Sequence, residues 1–310
     1  MILIKPAPWY RSLTIVAATA LGSLALAGCG AGSSVPGVIE AVGAEVQYGD
    51  VLAQVGGVFV HVTSVMSNPS TDPHNFEASP SVARSVAAAQ LVVQNGAGYD
   101  SFMNQLESAT SNKNRRVLTV ASMYSRSAFA NPHFWYSVPT ILQLSRDVDE
   151  ELVQLAPTHA AYFRARESRF LASWGPVMRA LANARRDFSH FPVATTEPVA
   201  DYLLSAMDLV NKTPFRFQAD VMNGVDPAPQ DIVTQQSLLD HHRVRALCFN
   251  AQVSSPVTAQ LRHLAIQDHV AVVAMYETMP AGQHVQSWML AEIDAIDAAL
   301  RHGTSTTSLA

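Results

Sequence analysis

The feature that most constrains the fold of this 310-residue chain is an alternation of apolar, β-rich runs with helical stretches from residue 38 onward. Strands that alternate with helices are typical of α/β layers built on parallel sheets. We therefore predict an α/β fold with parallel sheets flanked by helices. The predicted strands lie at residues 58–66, 91–96, 117–122, 191–196, 244–250 and 270–276.

The chain is long enough to bury one large core or two medium ones, and we expect two lobes, each with its own small parallel sheet. A long Ala- and Arg-rich helical pattern, interrupted at Gly175-Pro176, is the candidate helix that connects the lobes. The last residues, GTSTTSLA, read as a frayed tail. The predicted boundaries are an N-terminal lobe at 41–156, a connecting helix at 157–188, a C-terminal lobe at 189–303 and a tail at 304–310.

The first residues have the features of an export signal. Lys5 and Arg11 precede an uncharged apolar stretch, which Leu26-Ala27-Gly28-Cys29 closes. This tetrapeptide resembles a bacterial lipobox, which implies removal of residues 1–28 as a lipoprotein signal peptide and lipidation of the Cys29 thiol. An ordinary secretory peptide and a signal anchor are the alternatives, although the apolar run is shorter than the ~20 residues that span a bilayer.

The segment after Cys29 is rich in Gly and Ser, so residues 29–40 are predicted to be a flexible tether. We therefore expect an exported protein, lipid-anchored to the outer face of the cytoplasmic membrane. The formal net charge of −5 and the lack of a Lys/Arg-rich run give no electrostatic footprint for nucleic acid. If Cys29 is modified, Cys248 has no disulfide partner.

Candidate metal ligands follow four of the predicted strands. His74 and His133 come after the runs VFVHVTSVM and RVLTVASM, while Glu197 and Glu277 come directly after FPVATT and VAVVAMY. In α/β sheets ligands bind outside the carboxyl ends of strands, so these side chains can converge on one cleft. Two imidazoles and two carboxylates suit divalent manganese, iron or zinc.

Each of these residues also has a simpler interpretation, because no compact HExxH or CxxC motif fixes the site. His74 can cap a loop, and His133 can pack against the aromatic residues that follow it. Glu197 can lie at a helix N-terminus, where the helix dipole favours a carboxylate. Glu277 can be a solvated loop residue.

Three more polar residues are candidates for supporting the site. Asn250 and Gln252, at the end of the ALCFN run, can form hydrogen bonds that orient a metal ligand. His284 follows a glycine near Glu277 in the sequence. We predict these three as residues that contact the ligands rather than the ion.

Several longer stretches, spread over almost the whole mature chain, resemble one family of extracytoplasmic receptors. They include TSVMSNPSTDPHNFE, NPHFWYSVP, ATTEPVADYLL and YETMPAGQHVQSWM. The chain is similar to the solute-binding proteins of zinc and manganese ABC importers, the ZnuA/TroA-like or cluster A-I receptors. This resemblance implies two lobes joined by a long rigid helix. It also implies a monomer that carries one Mn²⁺ or Zn²⁺ ion, with Fe²⁺ still open, to an ABC importer permease in the cytoplasmic membrane.

The resemblance also assigns the metal ligands one by one. The His of the family's DPH motif falls on His74, and the His of its NPH motif falls on His133. The third ligand, five positions before Tyr202, is Glu197; it is His in many zinc receptors and Glu in manganese-type ones. The fourth, commonly Asp, corresponds to Glu277. Because carboxylates are harder donors than imidazole, this set leans towards manganese.

The function implied is capture and delivery of an ion, without catalysis. A surface adhesin or interaction lipoprotein is the main alternative, since a tethered surface domain can contact other proteins. A zinc hydrolase is a further alternative, because His and Glu ligands can leave a position open for water. The chain has no GxSxG or HExxH motif to favour a hydrolase.

Overall fold

The computed structural model describes residues 37–68, 76–110, 112–125 and 130–309. Within these ranges strands and helices alternate as predicted. The strands are β1 Ile39–Glu45, β2 Val60–Met66, β3 Leu91–Gln94, β4 Arg116–Thr119, β5 Pro192–Thr195, β6 Val210–Asn211, β7 Ala246–Asn250 and β8 Ala271–Met275. The helices are α1 Val46–Gly56, α2 Pro80–Ala88, α3 Ser101–Ser108, α4 Val138–Leu155, α5 Ala160–Ser173, α6 Gly175–Phe188, α7 Asp201–Ala206, α8 Phe215–Met222, α9 Pro229–Asp240, α10 Pro256–Gln267 and α11 Val285–His302.

The strands form two separate four-stranded sheets, one in each lobe. The first has the order β2-β1-β3-β4 and the second the order β6-β5-β7-β8. All six strand pairings are parallel. Every residue of β3, β7 and β8 is buried, which explains why these strands read as continuous apolar runs. The predicted α/β class with two parallel sheets is confirmed.

The two strands that the sequence does not reveal are β1 and β6. The β1 segment, IEAVGAE, is rich in small residues because α1 packs directly on it. A Cβ on Gly43 would lie 2.4 Å from the backbone nitrogen of Gly49 in α1, so this position requires glycine. Since β1 begins at Ile39, the strand overlaps the end of the predicted tether. The β6 strand has only two residues, too few to show a pattern.

The predicted connecting helix is divided into α5 and α6, which follow a 3-10 turn at Pro157–His159. The interruption lies at Trp174, next to Pro176 in the first turn of α6, because proline has no N–H to continue the hydrogen-bond ladder. α5 packs against α1 and α4 of the first lobe, and α6 packs against α11 of the second. The connector therefore belongs half to each lobe.

The C-terminal residues differ from the predicted frayed tail. Thr306 pairs in parallel with Val273 of β8. Its backbone N–H donates to Val272 at 2.8 Å, and its carbonyl accepts from Ala274 at 2.7 Å. The backbone N–H of Leu309 donates to a tyrosine hydroxyl at 3.1 Å. The prediction is wrong because β8 is an edge strand, whose free backbone groups a polar segment can satisfy without apolar side chains.

The main hydrophobic core extends through both lobes. It contains residues from β1, α1, α4 and both halves of the connector, together with α7 and α11. Trp135, Trp174 and Trp288 are its largest fully buried side chains. Among the described helices, none is long and apolar enough to cross a bilayer. The shared core holds the ends of the two sheets close together around the candidate metal ligands.

Candidate metal centre

The candidate ligands lie beyond the carboxyl ends of the parallel strands. Glu197 and Glu277 each follow the last residue of a strand by two positions, after β5 and β8. His133 comes after β4 and immediately precedes a 3-10 helix at Phe134–Tyr136. His74 and Cys29 lie outside the described residues.

His133 is fully buried and held by a neighbouring amide. Its Nδ1 lies 2.8 Å from Oδ1 of Asn131, and its backbone N–H donates to the same oxygen at 3.1 Å. Because Asn131 donates its own Nδ2 to the carbonyl of Pro198 at 2.8 Å, its Oδ1 is the acceptor and Nδ1 carries the proton. Nε2 makes no hydrogen bond among the described residues. This nitrogen is the one available to a metal ion.

Glu277 is 1% exposed and is contacted from both lobes. Its Oε2 lies 3.5 Å from Nε2 of His133 and accepts a hydrogen bond from the hydroxyl of Tyr99 at 2.8 Å. Its backbone carbonyl accepts from Nε2 of Gln47 at 3.2 Å. These contacts place a carboxylate of the second lobe against the imidazole of the first.

Asn250, the last residue of β7, links the two glutamates. Its Nδ2 donates to Oε1 of Glu277 at 2.6 Å and to Oε2 of Glu197 at 3.3 Å. Its Oδ1 accepts from the backbone N–H of Gln252 at 3.0 Å, which fixes the orientation of the amide. Oε1 of Gln252 in turn accepts the backbone N–H groups of Glu277 and Thr278 at 2.6 and 2.7 Å. Both residues thus contact the candidate ligands, and their role in supporting a metal site stays a prediction.

The structure thus brings His133, Glu277 and Glu197 to one buried region between the lobes. Glu197 is 2% exposed, and it does not cap α7, whose N-terminal flanking residue is Ala200. The burial of Glu277 likewise excludes a solvated loop residue. In the part of the chain that the structure describes, no three His, Cys, Asp or Glu side chains form a closed metal-binding group.

His284 does not contact the candidate ligands through any described hydrogen bond. It flanks the N-terminus of α11, and its side chain is 69% exposed. Its Nδ1 lies 2.7 Å from Asp50 of α1. Proximity to Glu277 in sequence was misleading because the turn before α11 carries the imidazole to the surface. His284 supports the contact between α1 and α11 instead.

Tyr99, Asn131 and Gln47 contact the site but were not predicted from the sequence. Tyr99 ends the glycine-rich loop after β3, where Gly96 and Gly98 adopt positive φ angles. Asn131 lies two residues before His133 in the same NPH motif, so the motif could have indicated that its side chain contacts the site. Gln47 had none, since it reaches Glu277 only through the tertiary contact between α1 and the second lobe.

Tyr99 is a dedicated hydrogen-bond donor to Glu277. Burial raises the pKa of Tyr99 well above its ordinary value, and the charges of Glu277 and Glu45 raise it further. The phenol therefore stays protonated at neutral pH, and its O–H donates a hydrogen bond to the carboxylate of Glu277. Such a donor favours the ionised form of Glu277, which is the form that binds a cation.

The arrangement can bind a cation with a mixed nitrogen and oxygen donor set. An imidazole nitrogen and two carboxylates are oriented by amide and phenol groups, which is how protein metal sites hold their ligands. Oxygen and nitrogen donors of this type suit divalent first-row metals.

The family model described as "ZnuA: Zinc-uptake complex component A periplasmic" matches residues 44–299. Two curated proteins are similar to the chain. The manganese-binding lipoprotein MntA of Bacillus subtilis is 26% identical over 194 residues, covering 57% of this chain and 60% of its own length. A putative metal-binding protein of Treponema pallidum is 21% identical over 212 residues, covering 62% and 66%. The matches thus span 60% and 66% of the two relatives, which is less than two thirds of each.

Solved structures share the fold. A manganese-bound periplasmic metal-binding protein from Candidatus Liberibacter asiaticus aligns with a TM-score of 0.68 at 14% identity, covering 84% of this chain and 98% of its own. A crystal structure of ZnuA aligns with a TM-score of 0.69 at 17% identity and the same coverage. At this identity the likeness shows the two-lobed fold alone, but the family model covers most of the chain. The chain therefore belongs to the ZnuA family of periplasmic zinc-uptake components.

Proposed function

We propose that this protein is an extracytoplasmic receptor that binds one divalent transition-metal ion between its lobes and delivers it to an ABC importer. The observation that carries the proposal is the buried contact between His133 of the first lobe and Glu277 of the second. Asn250 donates hydrogen bonds to both Glu277 and Glu197, which brings Glu197 to the same site. Membership of the family supports the same reading. His74, from the DPH motif, is the fourth proposed ligand.

The proposed cargo is Mn²⁺ or Zn²⁺, with a preference for a manganese role. Two of the four proposed ligands are carboxylates, and manganese favours oxygen donors more than zinc does. The manganese-binding relative from B. subtilis supports this preference. Zinc binding in vitro is compatible with a manganese role, because zinc binds most such sites more tightly than manganese.

The proposed location is the outer face of the cytoplasmic membrane, with Cys29 as the lipidated residue. The proposed partner is the permease of the importer, to which a tethered monomer passes its ion. The name of the B. subtilis relative, a lipoprotein, supports an anchor of this kind. Family membership favours this receptor over the adhesin and the zinc hydrolase.

The test of the proposal is metal content followed by metal-dependent stabilisation. Elemental analysis of protein from its native host should find about one manganese or zinc ion per chain. An ion at 1,000 times its Kd should stabilise the fold by about 4 kcal/mol, seen as a rise in Tm. His133→Ala and Glu197→Ala should each remove most of this rise, because each deletes a ligand.

His61→Ala is the matched control for the histidine variant. His61 is on the surface strand β2, with its side chain 66% exposed and paired with Glu40. Its removal should leave the metal-dependent rise in Tm unchanged. A wild-type protein that is free of metal and insensitive to added ions would contradict the receptor proposal and favour an interaction role.

A further inference from the structure

Glu45 is a buried carboxylate outside the four proposed ligands. The residue is 2% exposed, and both of its carboxylate oxygens are buried without a hydrogen bond among the described residues. The described part of the chain also provides no ion pair to Glu45. Transfer of an ionised carboxylate from water into such surroundings is strongly unfavourable unless a cation or a proton neutralises it. Glu45 therefore needs either a proton or a cation, and the described residues supply no cation to it.

Glu45 lies at the same edge of the fold as the proposed ligands. It is the last residue of β1, a central strand of the first sheet, so its side chain lies at the carboxyl ends of the strands. The chain enters α1 directly after it. Two residues further on, Gln47 donates to the backbone carbonyl of Glu277. The junction of β1 and α1 therefore contacts the loop that carries a proposed ligand.

The electrostatic interactions of Glu45 also connect it to the proposed ligands. Its charge helps to raise the pKa of Tyr99, whose hydroxyl donates to Glu277 at 2.8 Å. Burial, and then the charge of Asp100, raise the pKa of Glu45 itself. The carboxylate is thus within electrostatic range of the phenol that holds Glu277, in a region with excess negative charge.

An excess of buried negative charge is unfavourable in the metal-free protein and favourable once a divalent cation is present. We propose that Glu45 is a further carboxylate of the metal centre, whose negative charge stabilises the bound divalent ion alongside Glu197 and Glu277. This inference rests on the proposed receptor function. It adds an acidic group from the first lobe to a site in which the other two carboxylates come from the second.

Glu45→Gln tests the proposal because it removes the charge and keeps the shape. The Kd of Mn²⁺, measured by competition with a chromophoric chelator, should rise at least tenfold. The loss should be the same at 50 and 500 mM NaCl, since buried charges are screened much less than exposed ones. The metal-free Tm should be equal to or above that of the wild type, because an unfavourable buried acid has been removed.

Glu45→Asp and Glu292→Gln are the controls. Glu45→Asp keeps the charge and should retain most of the affinity. Glu292 is fully buried as well, but its Oε1 accepts hydrogen bonds from Tyr136 and Trp288, so Glu292→Gln should keep Kd within about threefold of the wild type.

Three outcomes would overturn the role of Glu45. They are a Glu45→Gln Kd within twofold of the wild type, a Glu45→Asp Kd raised as far as that of Glu45→Gln, and a metal-free Tm of Glu45→Gln below that of the wild type. Glu277→Gln separates this result from failure of the receptor proposal. If the wild type binds Mn²⁺ and Glu277→Gln does not, the receptor stands whatever Glu45 does. If the wild type binds no metal, both proposals fail.

Discussion

Asn250 presents one amide nitrogen to two buried carboxylates, Glu197 and Glu277. Asn250→Asp would replace this donor with a third negative charge. We expect the metal-free protein to lose about 1–3 kcal/mol of stability, since a hydrogen bond to charged groups is lost and like charges are added. A bound cation relieves the repulsion, so the rise in Tm on adding Mn²⁺ should exceed that of the wild type. Thermal melts with and without metal provide the measurement.

Asn211→Asp is the matched control for this substitution. Asn211 also donates an amide to a half-buried carboxylate, that of Asp201, which is not a proposed ligand. The control should lose stability without a larger response to metal. Equal metal responses of the two variants would show that Asn250 has no special relation to the centre.

Much of the candidate site could be predicted from the positions of its residues relative to the strands. Glu197 and Glu277 lie two residues beyond the ends of β5 and β8, so the parallel-sheet rule predicts them as candidate ligands without a structure. Glu45 follows the same rule, but β1 has too little apolar character to be seen in sequence. Its role depends on burial without a partner, which only the packed structure reveals.

At the level of elements, the C-terminal segment acts as an additional strand on the edge of the second sheet. Ending the chain at Gly303 would expose backbone groups of Val272 and Ala274 that Thr306 now satisfies. We expect a loss of about 1–3 kcal/mol, from two backbone hydrogen bonds and their neighbours. Urea denaturation should show a lower midpoint at an unchanged m-value.

A chain that ends at Leu309 is the control for this truncation, because it keeps all of the described contacts of the tail. Its urea midpoint should equal that of the full chain. An unchanged midpoint for the chain that ends at Gly303 would instead support the original prediction of a frayed tail.

Elements with a strong helical composition were predictable, while those defined by pairing were not. The connector is visible because residues 157–188 are rich in Ala and Arg, which favour helix. The tail is invisible because GTSTTSLA contains no apolar alternation, and its pairing with β8 uses backbone groups that every sequence has. Local pattern specifies a helix far better than it specifies an edge pairing.

For the molecule as a whole, Glu292 of α11 connects the lobes through a buried network. Its Oε1 accepts from the hydroxyl of Tyr136 at 2.8 Å and from Nε1 of Trp288 at 3.0 Å. The oxygen of the same tyrosine hydroxyl lies 2.7 Å from the carbonyl of Tyr276, next to the strand end of β8. Tyr136 belongs to the first lobe, so the network crosses between the lobes behind the candidate site.

This network predicts how stability depends on pH. Burial raises the pKa of Glu292 from 4.5 to about 8 in the folded protein. The folded state therefore holds a proton that the unfolded chain releases between these values, so stability falls as pH rises from about 5 to 8. The slope is at most about 1.4 kcal/mol per pH unit. Urea denaturation at pH 5, 6.5 and 8 measures it.

Glu292→Gln should flatten this fall, because the amide cannot ionise and its oxygen still accepts from Tyr136 and Trp288. At pH 8 the variant should match or exceed the wild type in stability, and at pH 5 it should not. Parallel pH profiles for the two proteins would mean that Glu292 does not titrate in this range.

Glu277 is held at three groups at once, since its backbone N–H, backbone carbonyl and carboxylate all have partners. Freezing the rotamers of a free glutamate takes up to about 2 kcal/mol of entropy, and here that ordering occurs during folding. For the proposed receptor, binding of an ion would then cost this side chain little further conformational entropy. We expect the same anchoring to slow departure of the ion from the proposed receptor, because Tyr99 on one lobe and Asn250 on the other must both release the carboxylate before it can swing away. Release of the ion from the proposed receptor is therefore expected to be a concerted event, suited to a trigger that acts on both lobes.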